Sequence, residues 1–173
     1  MADTVPDAIT LLKADHREVE HLFKKFEDAK GDGAKKNIAE QICVALIVHT
    51  KLENEHFYPA CEGKVDKADL AEAYVEHDAA SVLIAEILKG GPSDEYYDAK
   101  VKVLNEEITH HVKEEERWIT GLFSEAKRHG VDMGSLGEEM TKAKVRYQAD
   151  VAKNGAKVTL EALTKTKVAG ASA

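Results

Sequence analysis

The chain has 173 residues, enough for one domain with a sizeable core and an appendage. Its 32 Asp and Glu against 24 Lys and Arg give a formal charge of −8, which argues against general nucleic-acid binding, a role that needs a basic surface. No apolar run approaches the roughly 20 residues that span a bilayer, and the start Met-Ala-Asp-Thr-Val-Pro-Asp has neither a basic nor an apolar stretch, so a cytoplasmic protein is expected.

Strand signals are nearly absent, and Pro6, Pro59 and Pro92 sit where they bracket helices without breaking them. A first helix is expected over residues 6–29, with Leu12, His16, Val19, Phe23 and Phe26 on one face. Gly31-Asp32-Gly33 is a turn. The second helix, residues 35–58, is stopped by Pro59 and carries Ile42, Leu46, His49, Glu53 and His56 at helical spacing. Cys43 and Cys61 show no metal or redox spacing, and Cys43, inside an apolar run, reads as a buried thiol. After a polar loop, a third helix runs to residue 89 with Leu70, Ala73, His77, Ile84 and Leu88 inward. Gly90-Gly91-Pro92-Ser93 is the clearest break in the chain. Ser93 or Asp94 is placed to cap a fourth helix that reaches residue 128, with Leu104, Ile108, His111, Glu115, Trp118 and Leu122 on its stripe.

Four such helices joined by short loops predict an all-α fold, an up-down-up-down four-helix bundle over residues 1–130. Residues 131–173 read as a C-terminal helical extension, a short docked helix over 136–150 followed by a flexible tail rich in lysine and alanine.

Chemistry concentrates at His49/Glu53 and His111/Glu115. Residues i and i+4 share a helix face about 6 Å apart along the axis, so an imidazole nitrogen and a carboxylate oxygen converge on one point. A divalent metal with nitrogen and oxygen ligands requires that arrangement. Both pairs interrupt an apolar stripe, where they are costly unless something satisfies them. The neighbouring pair His110/Glu114 lies on a stripe running through Glu107 and Arg117 and reads as solvated. Each helix thus contributes one inward histidine: His16, His49, His77 and His111. His16 to His77 is 61 positions, while His49 to His111 and Glu53 to Glu115 are 62 each. A single inward histidine is more often a hydrogen-bonded core residue than a ligand. Six residues matched across two halves favour two metal ions, each held by one half and bridged by carboxylates. Imidazole and carboxylate suit iron, zinc and manganese alike.

At these residues the chain resembles the haemerythrin family, in particular the bacterial HHE cation-binding domains, over about residues 8–130. The matching features are Asp15-His16, His49-x-x-x-Glu53 followed by Phe57-Tyr58-Pro59, Glu76-His77, and His111-x-x-x-Glu115. The resemblance implies a cofactor of two iron ions, a non-haem di-iron centre bridged by Glu53, Glu115 and an oxo or hydroxo group. It implies dioxygen or peroxide as ligand, in sensing, scavenging or a stress response. The alternatives are an enzyme that breaks down peroxide, or an iron-dependent protein that interacts with an unidentified partner. The family's oxygen carriers draw two histidines one turn apart from the third helix. Here Ala73 precedes His77 by a turn and Ser81 follows it, so the site so counted is one imidazole short. An exchangeable position at one metal is therefore expected. The candidates for a further ligand are Glu20, His56 and Tyr74, each with a competing assignment: solvent for Glu20, the core for His56 and an apolar contact for Tyr74.

Overall fold

The computed structural model describes residues 5–156, and among these every regular element is helical. Helix α1 (Ala8–Asp28) begins at Asp7, whose carboxylate accepts the Thr10 N–H at 2.7 Å and satisfies one of the donors a helix start leaves free. Helix α2 (Asp32–Leu52) passes through a π-helical turn (Glu53–Phe57) into a last short helix, α3 (Tyr58–Cys61). Helix α4 (Lys67–Gly90) is capped by Asp66, which accepts from Ala68 N at 2.7 Å. Helix α5 (Tyr97–Glu115) is followed by a turn, by α6 (Leu122–Arg128), and by α7 (Met133–Asn154), which Asp132 caps.

Helix α1 packs on α2, α2 on α4, α4 on α5 and α5 back on α1, which closes the four-helix bundle. The core is the union of the apolar stripes: Leu12, Val19 and Phe23 from α1, Ile42 and Leu46 from α2, Leu70 and Ile84 from α4, Val101 and Leu104 from α5. Cys43 and Cys61 are both free and buried. Among the described residues no helix is long and apolar enough to cross a membrane.

Neither Ser93 nor Asp94 caps the fourth helix, which starts at Tyr97 with no side-chain cap, and three elements differ further from the sequence expectation. Pro59 does not end the second helix. A proline removes one N–H and crowds the carbonyl four residues before it. The π turn absorbs this, with the Tyr58 N–H donating to the Glu53 carbonyl five residues back.

The fourth helix is not continuous to residue 128. It stops at Glu115, and Trp118, expected inward, is 88% exposed. The space beneath the bundle end is taken by Phe123, whose ring meets Phe57 at 5.2 Å and stacks on His16 at 5.8 Å, leaving no slot for an indole. Gly121 permits the turn between α5 and α6, because a β-carbon there would lie 2.5 Å from the Glu115 and Arg117 carbonyl oxygens.

Helix α7 is longer than residues 136–150 and lies in the groove between α1 and α2. It crosses the start of α1 at Gly137, where a β-carbon would come within 2.7 Å of Ala8 N. The lysine-rich tail from residue 157 lies outside the described residues.

Candidate metal centre

His16, His49, Glu53, His77, His111 and Glu115 are all buried, and Glu53 is fully so. The structure brings them together at mid-bundle. One group joins His16, His49, Glu53 and Glu115, another joins Glu53, His77 and His111, and within each the ligand atoms lie no more than 4.8 Å apart. The two halves are therefore interleaved rather than separate, because Glu53 belongs to both groups and Glu115 reaches across to the α1–α2 side. Glu53 Oε2 is 3.0 Å from His49 Nε2 and 3.2 Å from His77 Nε2. Glu115 Oε2 is 3.5 Å from His16 Nε2 and 3.6 Å from His111 Nε2.

All four imidazoles point Nε2 inward and Nδ1 outward. His16 Nδ1 is 2.8 Å from Glu116 Oε1, His77 Nδ1 is 2.9 Å from Asn54 Oδ1, and His111 Nδ1 is 2.6 Å from Glu76 Oε2. His49 Nδ1 faces Asp15 Oδ2 at 3.7 Å, an electrostatic rather than a hydrogen-bonding distance. Acceptors on the outer nitrogens place the proton on Nδ1 and leave the Nε2 lone pair for a metal. Glu116, read from sequence as part of a charged face, turns back to His16 because the helix ends at Glu115, and Arg17 holds it there at 2.7 Å.

The Nε2 atoms of His16 and His49 are 3.2 Å apart, as are those of His77 and His111. Two lone pairs that close repel unless a cation or proton lies between them. Glu53 Oε1 and Glu115 Oε2 are buried without a hydrogen-bond partner. Orphaned carboxylate oxygens beside converging imidazoles are what a bound cation satisfies, so the donor set fits metal.

The titration behaviour agrees. Burial pushes Glu53 upward, but His49, His111 and His77 outweigh it and hold it well below the usual carboxylate range. Burial and then the Glu53 charge drive Glu115 up, because two buried carboxylates this close resist ionising together. Burial lowers His16, and lowers His77 to about 4, which keeps both neutral. Burial also opposes charge on His49, yet Glu53 and Asp15 raise it to about 10.

A seventh group stands at the centre, one that the sequence reading named within Phe57-Tyr58-Pro59 but did not count among the ligands. The Tyr58 hydroxyl donates to Glu115 Oε1 at 2.8 Å and lies 3.3 Å from Glu53 Oε2, 3.3 Å from His77 Nε2 and 3.4 Å from His111 Nε2. It stands on the side of His77 and His111, the group to which α4 gives a single imidazole. The π turn places it there. On a regular α-helix, five residues beyond Glu53 is roughly 140° off its face; the extra residue of the π turn returns Tyr58 to the stripe of His49 and Glu53. The three candidates weighed for this place lie elsewhere. Glu20 pairs with Arg17 at 3.2 Å near the surface, His56 lies between Glu139 and Tyr147 of α7, and Tyr74 packs edge-on against the Tyr58 ring. A phenol where an imidazole was missing, next to a proline, was the signal available in Phe57-Tyr58-Pro59.

Residues 7–123, more than half of the chain, match the haemerythrin HHE cation-binding domain. The chain belongs to this family. As a haemerythrin-like HHE protein it is a metal-binding protein, and its buried His/Glu groups are able to hold metal. A solved HHE cation-binding domain-containing protein from Mycobacterium kansasii shares the fold, with a TM-score of 0.75 at 21% identity, over 91% of this chain and 99% of that one. A curated relative, a DNA nickase from Nostoc sp. (strain PCC 7120), is 26% identical over 106 residues, 61% of this chain. This HHE chain spans 30% of that relative's length.

Proposed function

We propose that this HHE domain holds two iron ions and uses them on dioxygen or peroxide, as a sensor, scavenger or store of small oxidants. The observation that carries the reading is the convergence of four Nε2 atoms, two carboxylates and one phenol on two groups that share Glu53. When bound, an iron pair supplies reversible electron transfer to and from small oxygen species. His16, His49, Glu53 and Glu115 form one holding set. His77, His111 and Glu53 form the other, with Tyr58 completing it. Phe57 and Phe123 close the lower side, and the Phe123 ring stacked on His16 excludes water there.

Peroxide breakdown is the second reading, and the Tyr58 proton favours it. Burial pushes the phenol well above its ordinary range, so in the metal-free protein it keeps its proton against Glu115 Oε1. A proton donor stands 3.3–3.4 Å from two of the inward nitrogens, where a reduced oxygen species needs one. The nickase's activity is not carried over, since the match spans under a third of that protein and this chain's charge is −8.

Metal analysis with spectroscopy of protein purified under air is the test. About two irons per chain are expected, with near-ultraviolet charge-transfer bands that azide perturbs. His111→Ala should lose metal to a chelator that His110→Ala resists. A spectrally silent protein with one metal or fewer overturns the dinuclear reading. An oxygen electrode with added peroxide then separates turnover from binding.

A further inference from the structure

Outside the buried centre, His110, Glu114 and Glu76 form another group of ligating atoms, on the outer side of the α4–α5 seam. His110 Nε2 is 3.5 Å from Glu114 Oε1 and 3.8 Å from Glu76 Oε1. A solvated i,i+4 pair accounts for His110 and Glu114. It does not account for Glu76, which comes from the facing helix and turns one oxygen to His110 and the other to His111 Nδ1. One imidazole nitrogen and two carboxylate oxygens on a wet seam form a donor set for a divalent cation that keeps water at its other positions.

Glu76 and Glu114 of this group line a small cavity of about 50 Å³. Exposed Asp69 and Glu72 and half-buried Glu76 and Glu114 line its outer part, while buried His111 and Glu115 line its inner end. A cavity of that size holds a few waters, at roughly 10–15 Å³ each by this measure, and so accommodates a partly hydrated cation. Glu115, at the inner end, belongs to the buried group, where its unpartnered Oε2 lies 3.6 Å from His111 Nε2. The outer field is negative: burial and the charges of Asp66, Glu125 and Glu114 lift the Asp69 carboxyl. Arg117 stands at the same opening, its Nη2 3.5 Å from Glu114 Oε1, where a metal would displace it.

We propose that Glu76, His110 and Glu114 form a second divalent-cation site, an outer station from which metal passes along the acidic cavity to Glu115 and His111. The proposal rests on the reading that the buried group holds metal. It assigns a task to His110 and Glu114, which the centre leaves unused, and a second one to Glu76, which already orients His111. A bundle closed around its ligands needs a loading route, and a line of carboxylates lowers the barrier to dehydrating the ion stepwise.

The test uses the full chain stripped of metal. Stopped-flow mixing with iron(II) under nitrogen follows loading, and a manganese(II) titration read by electron paramagnetic resonance counts sites. The double variant His110→Ala/Glu114→Gln should reach the same final buried metal content as wild type, but about tenfold more slowly, and should lose a weak outer manganese site. Asp69→Asn/Glu72→Gln, two exposed changes, should slow loading at low salt and not at high salt. Wild type that loads normally beside a double variant that loads equally fast overturns the outer station alone. Retention of the outer manganese site by the double variant overturns it too. Wild type that takes up no buried metal overturns the reading of the centre as well.

Discussion

Tyr58 is a buried phenol within hydrogen-bonding or near-contact distance of four of the six charged and imidazole groups around it. Removing only its oxygen tests what that position does, because the ring keeps its packing against Tyr74, Phe57 and His77. Tyr58→Phe should abolish any visible phenolate-to-iron(III) absorption and leave near-ultraviolet bridge bands in place. It should also weaken retention of one of the two metals at least about tenfold under chelator challenge, the scale on which even outer partners of ligands act. An unchanged visible spectrum would show that the phenol does not reach the metal. The expectation of an open position rested on Ala73 and Ser81 alone, and this residue is what that count left out. A π turn is a departure of one residue from the 3.6 period, and the pattern of apolar residues carries no mark of it.

At the scale of elements, α7 decides how firmly the α1–α2 half of the centre is held. Lys144 pairs with Asp15, which faces His49 Nδ1, and Tyr147 donates to Glu55 at 2.5 Å while accepting the contact from His56 at 2.9 Å. The Lys51 ammonium sits 4.5 Å over the Tyr147 ring. The helix can lie this close only because Gly137 crosses the start of α1 without a side chain. Gly137→Ala should therefore destabilise the fold by about 1–3 kcal/mol through overpacking. At roughly 2–4 °C per kcal/mol for a domain of this size, thermal unfolding should fall by several degrees. A melting temperature equal to wild type would mean that α7 does not dock there. That a helix follows residue 131 was legible from Leu136 to Asp150; its seat on α1 and α2 was not, because its partners lie 83 to 129 positions away.

For the whole molecule, the centre couples stability to metal. Without a cation, the bundle buries two carboxylates and four imidazoles whose Nε2 atoms face one another in pairs 3.2 Å apart. A ligand present at a thousand times its Kd stabilises the fold by about 4 kcal/mol, so metal removal should lower the melting temperature by roughly 10 °C. The sign of the pH dependence follows from the protons the metal-free site retains. His49, raised to about 10, and Glu115, raised by burial and by Glu53, both hold protons at neutrality. Metal must displace them, so binding weakens as pH falls. The difference in melting temperature between metal-loaded and metal-free protein should be larger at pH 8 than at pH 6. Scanning calorimetry at the two pH values checks this, and an equal or reversed difference would show that these protons are not displaced.

The helical period alone placed His16, His49, Glu53, His77, His111 and Glu115 on inward faces, and it separated His111 from His110, because side-chain direction on a straight helix is a local property of spacing. Charge, length and the absence of strand signals restricted the fold to a helical bundle for the same reason: they need no knowledge of contacts. The tertiary structure decided the rest. Which carboxylate is shared between the two groups, which acceptors orient each Nδ1, and where Trp118 goes all depend on what already fills the space opposite. Phe123 excludes Trp118, the π turn swings Tyr58 inward, and the end of α5 frees Glu116 to reach His16. Those outcomes follow from competition among distant groups for the same volume, and a periodicity read within one helix does not contain the competitor.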